Sequence, residues 1–308
     1  MEDYPRTLLE LERRFSTEAN CRGYLFALRW PEGFVCPRCQ RREAWPTRRG
    51  LWCCRQCQYH ASVTAGTIFQ DTRLPLTVWF RAIWEITAQK HGANALGLQR
   101  VLGLGSYKTA WTWLHKLRRA MVRPGRDRLS GRVELDETYL GAPESGVVGR
   151  QTIDKTLILV AAQQDGSGIG RIRMGRIAAL TKEAVRVFLA EAVEPGSVLV
   201  TDGLPTFGAP EGYQHVPVVV RRQAATASEL LPRVHQVVSL LKRWLMGTLH
   251  GGIGSEHLDY YLDEFTFRFN RRTSASRGKL FYRLVQQAVA VPPAPYRTII
   301  APPPVGGT

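Results

Sequence analysis

The spacing of apolar residues changes character once along the chain, near residue 132. Before that point it is helical. Leu8, Leu9, Leu11 and Phe15 recur at helical spacing and predict a helix within 7–28. Trp79, Ile83, Ile86 and Thr87 repeat at three and four within 75–122, and Gly92, Gly103 and Gly105 punctuate that stretch into three helices. Residues 30–70, between these stretches, are turn-rich and cysteine-bearing. From 132 onward short apolar, β-branched runs predict strands at 132–138, 156–163, 170–176, 197–201 and 216–220. A helix over 181–193 begins at Thr181 with Glu183 in its first turn. Another over 231–247 has Pro232 where a first turn tolerates it, and 256–290 add further helical segments.

Strands first, then a helix, a strand and more helices predict an α/β domain over 132–290, a mixed sheet covered by helices. An N-terminal helix with a cysteine-bearing module (1–72) and a helix-turn-helix-like segment (73–122) precede it. Residues 123–131, Arg-Pro-Gly-Arg-Asp-Arg-Leu-Ser-Gly, look like a linker. Residues 291–308, Pro-rich from Pro292 and ending Gly-Gly-Thr, are expected to be disordered. No internal repeat is visible.

A chain of 308 residues can bury a real core in two or three domains. Its charge narrows the function more than its length does. Forty-two Lys and Arg against 26 Asp and Glu leave a net +16 and a pI near 10.1. Such an excess concentrates polyanions at the surface and releases their counterions on binding, which favours nucleic acid as partner. The opening Met-Glu-Asp-Tyr-Pro lacks the basic and apolar regions of a signal peptide, and no apolar run approaches a membrane span. The expected location is the cytoplasm, with no membrane partner.

All six cysteines lie in the first fifth of the chain. Cys36-Pro-Arg-Cys39 and Cys54-Arg-Gln-Cys57 are two C-x-x-C turns one short hairpin apart, the spacing that supplies four tetrahedral thiolates to a structural zinc ion. Cys53 is an adjacent spare, and Cys21 is expected to be a small buried hydrophobe. Arg38, Arg41, Arg42, Arg48, Arg49 and Arg55 surround this ribbon, as either a DNA-contacting or a solvated face.

Residues 93–121 read as a helix, a Gly-containing turn and a second helix from near Ser106, an arrangement similar to a helix-turn-helix. Lys108, Lys116, Arg118 and Arg119 on the second helix are candidate DNA contacts. Trp111 and Trp113 are expected core anchors.

Two aspartates close apolar runs in the α/β region. Asp136 lies in Val133-Glu-Leu-Asp-Glu-Thr-Tyr139 and Asp202 in Val198-Leu-Val-Thr-Asp-Gly203, 66 residues apart. Carboxylates projecting from neighbouring strand ends can hold a pair of divalent cations around a scissile phosphate. Strand alternation places Glu134 on the face of Asp136 and Glu137 on the other. Asp202-Gly203 could equally be a turn after a strand.

Phe34-Val-Cys-Pro-Arg-Cys39, Ser62-Val-Thr-Ala-Gly-Thr-Ile-Phe69, Val133-Glu-Leu-Asp-Glu-Thr-Tyr-Leu-Gly141, Thr201-Asp-Gly203, Leu241-Lys-Arg-Trp-Leu-Met-Gly247 and Tyr261-Leu-Asp-Glu-Phe-Thr-Phe-Arg-Phe-Asn-Arg-Arg272 occur in that order. Together they resemble bacterial insertion-sequence transposases of the ISXO-two-like type, over roughly residues 5–290. The resemblance implies an RNase H-like DDE catalytic domain behind a zinc ribbon. It also implies cleavage and strand transfer at insertion-element ends, with Mg2+ or Mn2+ as catalytic metal beside structural Zn2+. Double-stranded DNA, as element ends and target, is the implied partner, in the bacterial nucleoid. A homodimer or larger assembly is expected, because both ends must be brought together.

Asp136 and Asp202 match the first two acids of the family pattern. Its third acid, or a substitute, stands seven residues before a lysine. Lys242 matches that lysine, and His235 stands seven residues earlier on the same helix face. An imidazole nitrogen suits manganese better than magnesium. Glu229, Glu256, Asp263 and Glu264 are alternative acids for that position. Arg268, Asn270, Arg271 and Arg272 are expected to grip flanking DNA. Three other readings compete: a zinc-ribbon DNA-binding regulator without catalysis, a metal-dependent nuclease without strand transfer, and an inactive transposase relic.

Overall fold

In the computed structural model of this chain the described residues are 2–123, 125–141, 155–208, 210–218, 227–249 and 254–301. They fall into two units, Met1–Arg123 with Thr273–Ala301, and Pro124–Arg272. Among the described residues no helix is long and apolar enough to cross a membrane.

The helix predicted over 7–28 is two helices, α1 (Leu8–Arg14) and α2 (Glu18–Arg29). Threonine caps cause the break. Thr7 and Thr17 each accept the backbone N–H three residues on, from Glu10 and Asn20. Phe15, between the helices, turns inward against Tyr24 and Phe80, with ring centroids 4.9 and 4.8 Å away. The next strands, β1 (Ala44–Pro46), β2 (Trp52–Cys54) and β3 (His60–Ala61), pair antiparallel in that order. Then come α3 (Leu76–Ala88), α4 (Ala95–Leu102) and α5 (Tyr107–Ala120), as the punctuating glycines predict. Gly103 takes φ 63 after α4, and Ser106 caps α5. Trp79 of α3 stacks on Trp113 of α5 at 3.7 Å, which fixes the two helices against each other.

Two boundaries differ from expectation. Residues 273–290, assigned above to the catalytic domain, belong to the first unit. Their helix α10 (Arg277–Ala288) packs on α2, α3 and α5, and its Phe281 enters the Phe15–Tyr24–Phe80 ring cluster. An added Cβ at Gly278 would overlap the carbonyl oxygen of Pro5, so the helix needs glycine at that crossing. Glu2 binds Lys279 at 3.3 Å and also pairs with Arg283. The tail expected to be disordered is structured through 301. Helix α11 (Tyr296–Ile300) packs on α5 with Ile299 buried, and Lys108 Nζ sits 3.9 Å over the Tyr296 ring. Residues 302–308 lie outside the described residues.

In the second unit, β4 (Arg132–Leu140), β5 (Thr156–Asp165), β6 (Gly168–Ile177), β7 (Val198–Thr201) and β8 (Gln214–Pro217) form one sheet in the order β6-β5-β4-β7-β8. The first three strands are antiparallel, while β7 and β8 run parallel to β4. The predicted strand 216–220 sits earlier, at 214–217, and its last two residues lie outside the described ones. Helix α6 (Lys182–Ala192) covers one face through Val185, Phe188 and Leu189, packed with Val133, Leu135 and Leu199. On the other face lie α8 (Pro232–Leu249), preceded by a short turn of helix α7 (Ala227–Leu230), and α9 (Leu258–Phe269). Val234, Val237, Leu241, Leu262 and Phe265 meet Ile158, Val160, Ile172 and Val200 there. Helices on both faces make β5 apolar on both sides. This mixed sheet with flanking helices is an RNase H-like core.

The expected linker is part of this unit. Leu129 is buried, its N–H donates to Ala192 O at 2.8 Å, and its carbonyl accepts from Glu194 N at 2.7 Å. The edge strand β6 is closed by Asn270, which follows α9. Its Oδ1 accepts the Ile172 N–H at 2.7 Å and its Nδ2 donates to the Ile172 carbonyl at 3.1 Å. One side-chain amide thus pairs with an edge residue as a neighbouring strand would. Replacing Asn270 with Ala leaves both Ile172 groups without these bonds. A loss of about 1–3 kcal/mol is expected, read as a lower midpoint in urea or thermal unfolding.

Candidate functional site

The two C-x-x-C turns have the same local backbone. Each is followed by a glutamine in the left-handed region, Gln40 at φ 62 and Gln58 at φ 56. Each glutamine N–H returns to the first cysteine's carbonyl, Gln40 to Cys36 at 2.9 Å and Gln58 to Cys54 at 3.0 Å. These turns bring all four sulfur atoms within 4.8 Å of one another, with Cys36–Cys57 at 3.6 Å and Cys39–Cys54 at 3.5 Å. Among the described residues this is the one group of three or more His, Cys, Asp or Glu gathered so closely. Four sulfurs this close compete for charge. Backbone N–H groups of Cys57 and Gln56 lower the Cys54 thiol, while at Cys39 the pull of the Arg41 N–H is outweighed by burial and the other three sulfurs, which raise it. The donor set fits a structural zinc ion and leaves no open coordination position. Cys53 points elsewhere, 3.5 Å from Gln58 Oε1, and Cys21 is fully buried as expected.

The acidic pair is assembled by strand register. Arg132, Val133 and Glu134 pair in parallel with Val198, Leu199 and Val200. Continued two residues, that register puts Asp136 beside Asp202, which directly follows β7. Asp202 also makes the turn that its Asp-Gly pair suggests: its Oδ1 accepts the Leu204 N–H at 3.0 Å, and Gly203 takes φ 79. Burial first, then the charges of Glu137 and Asp202, push the Asp136 carboxyl up to about 7. The Glu137 N–H, donated to Asp136 Oδ1 at 2.9 Å, pulls the other way. A carboxylate held back by its acidic neighbours is a donor set that a divalent cation would neutralise.

Helix α8 brings His235 to this pair, with Nε2 3.5 Å from Asp136 Oδ2. Lys242 lies two turns further along the same helix face and is exposed. The alternative acids are placed differently. Glu264 is fully buried and holds Arg268 at 2.7 Å, and Asp263 on the same helix is governed by burial, Arg126 and Asp259. Glu256 and Glu229 are exposed on separate short helical turns. Sequence reasoning noted Glu134 only as sharing the face of Asp136. In the structure its carboxylate is buried and holds the first turn of α8, with Arg233 N at 2.7 Å and Val234 N at 2.9 Å.

Several expected DNA contacts are corrected. Arg118 is 2% exposed and donates to the Ala93 carbonyl at 3.5 Å, so it belongs to the core of the first unit. Helix α5 buries Ala110, Trp113, Leu114 and Leu117 beside it, and that face claims the arginine. Lys116 is half-buried, and burial pulls its ammonium below the usual range. Arg268 is turned inward onto Glu264, and Asn270 onto Ile172. Arg271 and Arg272 lie over the rings of Phe267 and Phe269, and Arg272 also donates to the Gly170 carbonyl at 3.1 Å. Lys108 at the start of α5 and Arg272 are exposed and Arg119 is partly exposed, although Lys108 also lies over the Tyr296 ring.

Arg118→Ala should lower the unfolding midpoint, and Lys108→Ala should weaken DNA binding in a gel-shift titration while lowering that midpoint far less, by no more than the loss of its contact over the Tyr296 ring. Purified protein should carry roughly one zinc per chain, and Cys54→Ser should lose it, as read by a colorimetric zinc-release assay.

Comparison with known proteins agrees with both units. Residues 16–60 match a transposase zinc-ribbon domain, and residues 128–270 match an ISXO2-like transposase domain. The second match ends at Asn270, which closes the sheet edge. A protein of Halobacterium salinarum (strain ATCC 700922 / JCM 11081 / NRC-1), described as an uncharacterized protein in transposable element ISH50, is 25% identical over 281 residues, covering 83% of this chain and 92% of that relative. With its zinc ribbon and RNase H-like core, the chain belongs to the ISXO2-like DDE transposase family.

Proposed function

We propose that this protein is a DNA transposase that binds insertion-element ends and catalyses metal-dependent strand cleavage and strand transfer. The observation that carries the reading is the meeting of Asp136, Asp202 and His235 where β7 ends beside the middle of β4: two carboxylates brought together by the parallel register, with an imidazole nitrogen 3.5 Å from the first. Asp136 and Asp202 would hold the catalytic cations, and His235 would supply a nitrogen donor or orient the nucleophile. Divalent cations at such a site activate a water or a DNA 3′-hydroxyl and stabilise the leaving oxygen.

The chain's own groups set the rest. Lys242, exposed and on the His235 face of α8, offers a mobile positive charge to a phosphate next to the scissile bond. The high net positive charge concentrates DNA at the protein. Pairing two element ends calls for at least two copies of the chain, so a monomer in the DNA-end complex would contradict that part of the reading.

Asp136→Ala and Asp202→Ala should each reduce cleavage and joining of a labelled element end to background while end binding persists. Undiminished strand transfer in either variant would rule the assignment out. Cleavage without joining in the unsubstituted protein would favour the nuclease reading, and binding without cleavage the regulator. His235→Glu should shift the metal preference towards magnesium, measured as the ratio of cleavage rates in Mg2+ and Mn2+. A His235→Ala variant as active as its parent would make His235 a bystander.

A further inference from the structure

Helix α8 begins without a side-chain cap of its own. The Leu231 carbonyl accepts the His235 N–H at 3.2 Å, which makes Leu231 the capping residue, and leucine has no oxygen to offer the free amides of the first turn. Pro232 has no N–H to satisfy. The next two amides, of Arg233 and Val234, both donate to Glu134 Oε2, at 2.7 and 2.9 Å. The other oxygen, Oε1, accepts from Arg233 Nη1 at 2.9 Å, and Arg233 Nε donates to the Gly168 carbonyl at 3.0 Å. Glu134 is 4% exposed. The cap of α8 therefore comes from strand β4, as a carboxylate at the positive end of the helix dipole.

The same strand carries the first aspartate. Glu134 and Asp136 lie on one face of β4, about 7 Å apart along the strand. On the helix, His235 directly follows Val234. One strand thus grips the helix with Glu134 and meets His235 with Asp136, so any freedom at the cap becomes freedom of the imidazole.

We infer that Glu134 is a positioning residue: it caps α8 from β4 and so sets His235 Nε2 against Asp136. Its consequence for cleavage rests on the reading of Asp136, Asp202 and His235 as the reaction site; the placement of His235 does not. The oxygen that takes the two amides is what matters, so glutamine, which keeps that oxygen and gives up only the bond from Arg233 Nη1, should hold the helix start where an isosteric apolar side chain should not.

The test compares Glu134→Gln with Glu134→Met in the full chain, both close to glutamate in volume. The first readout is the imidazole signal of His235 in 15N-histidine-labelled protein, assigned by its loss in His235→Ala. In the unsubstituted chain that signal should shift on Asp136→Asn, because the two groups touch. The Gln variant should keep the response, and the Met variant should lose it. The second readout is cleavage of a labelled element end. The Met variant should fall roughly 100-fold and the Gln variant less than about 10-fold, with end binding unchanged in both.

A folded Met variant whose His235 still responds to Asp136→Asn overturns the inference. If Met does not fold, Gln is decisive alone: a folded Gln variant that has lost the response overturns it, and one that keeps the response supports it. Asp202→Ala is run alongside. Should it cleave like the unsubstituted protein, the reading of the reaction site fails, while the His235 signal still decides the placement.

Discussion

Parallel pairing of β4 with β7 at an offset of 66 residues sets Asp136 and Asp202 side by side. Side chains alternate along a strand, so a slip of one residue would carry Asp202 to the α6 face and dissolve the pair. Apolar contacts on both faces prevent that slip. Val133, Leu135 and Leu199 are held against α6, and Val200 against α8 and α9. The acids can sit where their charges repel because the strands beneath them are locked by burial that tolerates no other register.

The helix side of the site rests on the same strand. Glu134 replaces the missing cap of α8, and the Arg233–Glu134 pair is nearly buried, with side chains 18% and 5% exposed. Removing one partner of such a pair costs several kcal/mol. The β4 sequence Glu-Leu-Asp therefore does two jobs at once. Its even positions face His235 and the helix start, and its odd position packs against α6.

Much of this was legible in the chain. Periodicity placed the strands, helix α6 and helix α8 within a few residues, and the cysteine spacing gave the metal knuckles. The apolar runs pointed to both aspartates, but only Asp202 stands at a strand end; Asp136 lies in the middle of β4, which runs on to Leu140. Burial of particular cations was not legible. Arg118 and Arg268 look like surface charges in a basic protein, yet one sits in a helix core and the other on a buried glutamate. Asn270 looks like a polar contact for DNA, yet it imitates a strand on the open edge of β6. Ala93 and Ile172 are far from Arg118 and Asn270 in sequence, and no local pattern names them; Glu264 is four residues before Arg268 on α9, but its burial is not local. Helix α10 misled for a similar reason. Its amphipathic face is plain, but which core it would enter depended on the aromatic surface that α2 and α3 present.

The sequence by itself determined what depends on period and spacing: a mixed α/β domain, four thiolates in two knuckles, and two carboxylates at the ends of β-branched runs. Local geometry suffices for each, because strand alternation and the C-x-x-C turn act over a few residues. Only the tertiary structure decided which third group meets the aspartates. His235 lies 99 residues beyond Asp136, and its place depends on a carboxylate of one strand capping a helix from across that gap. Such a bond forms only once both cores have closed around it.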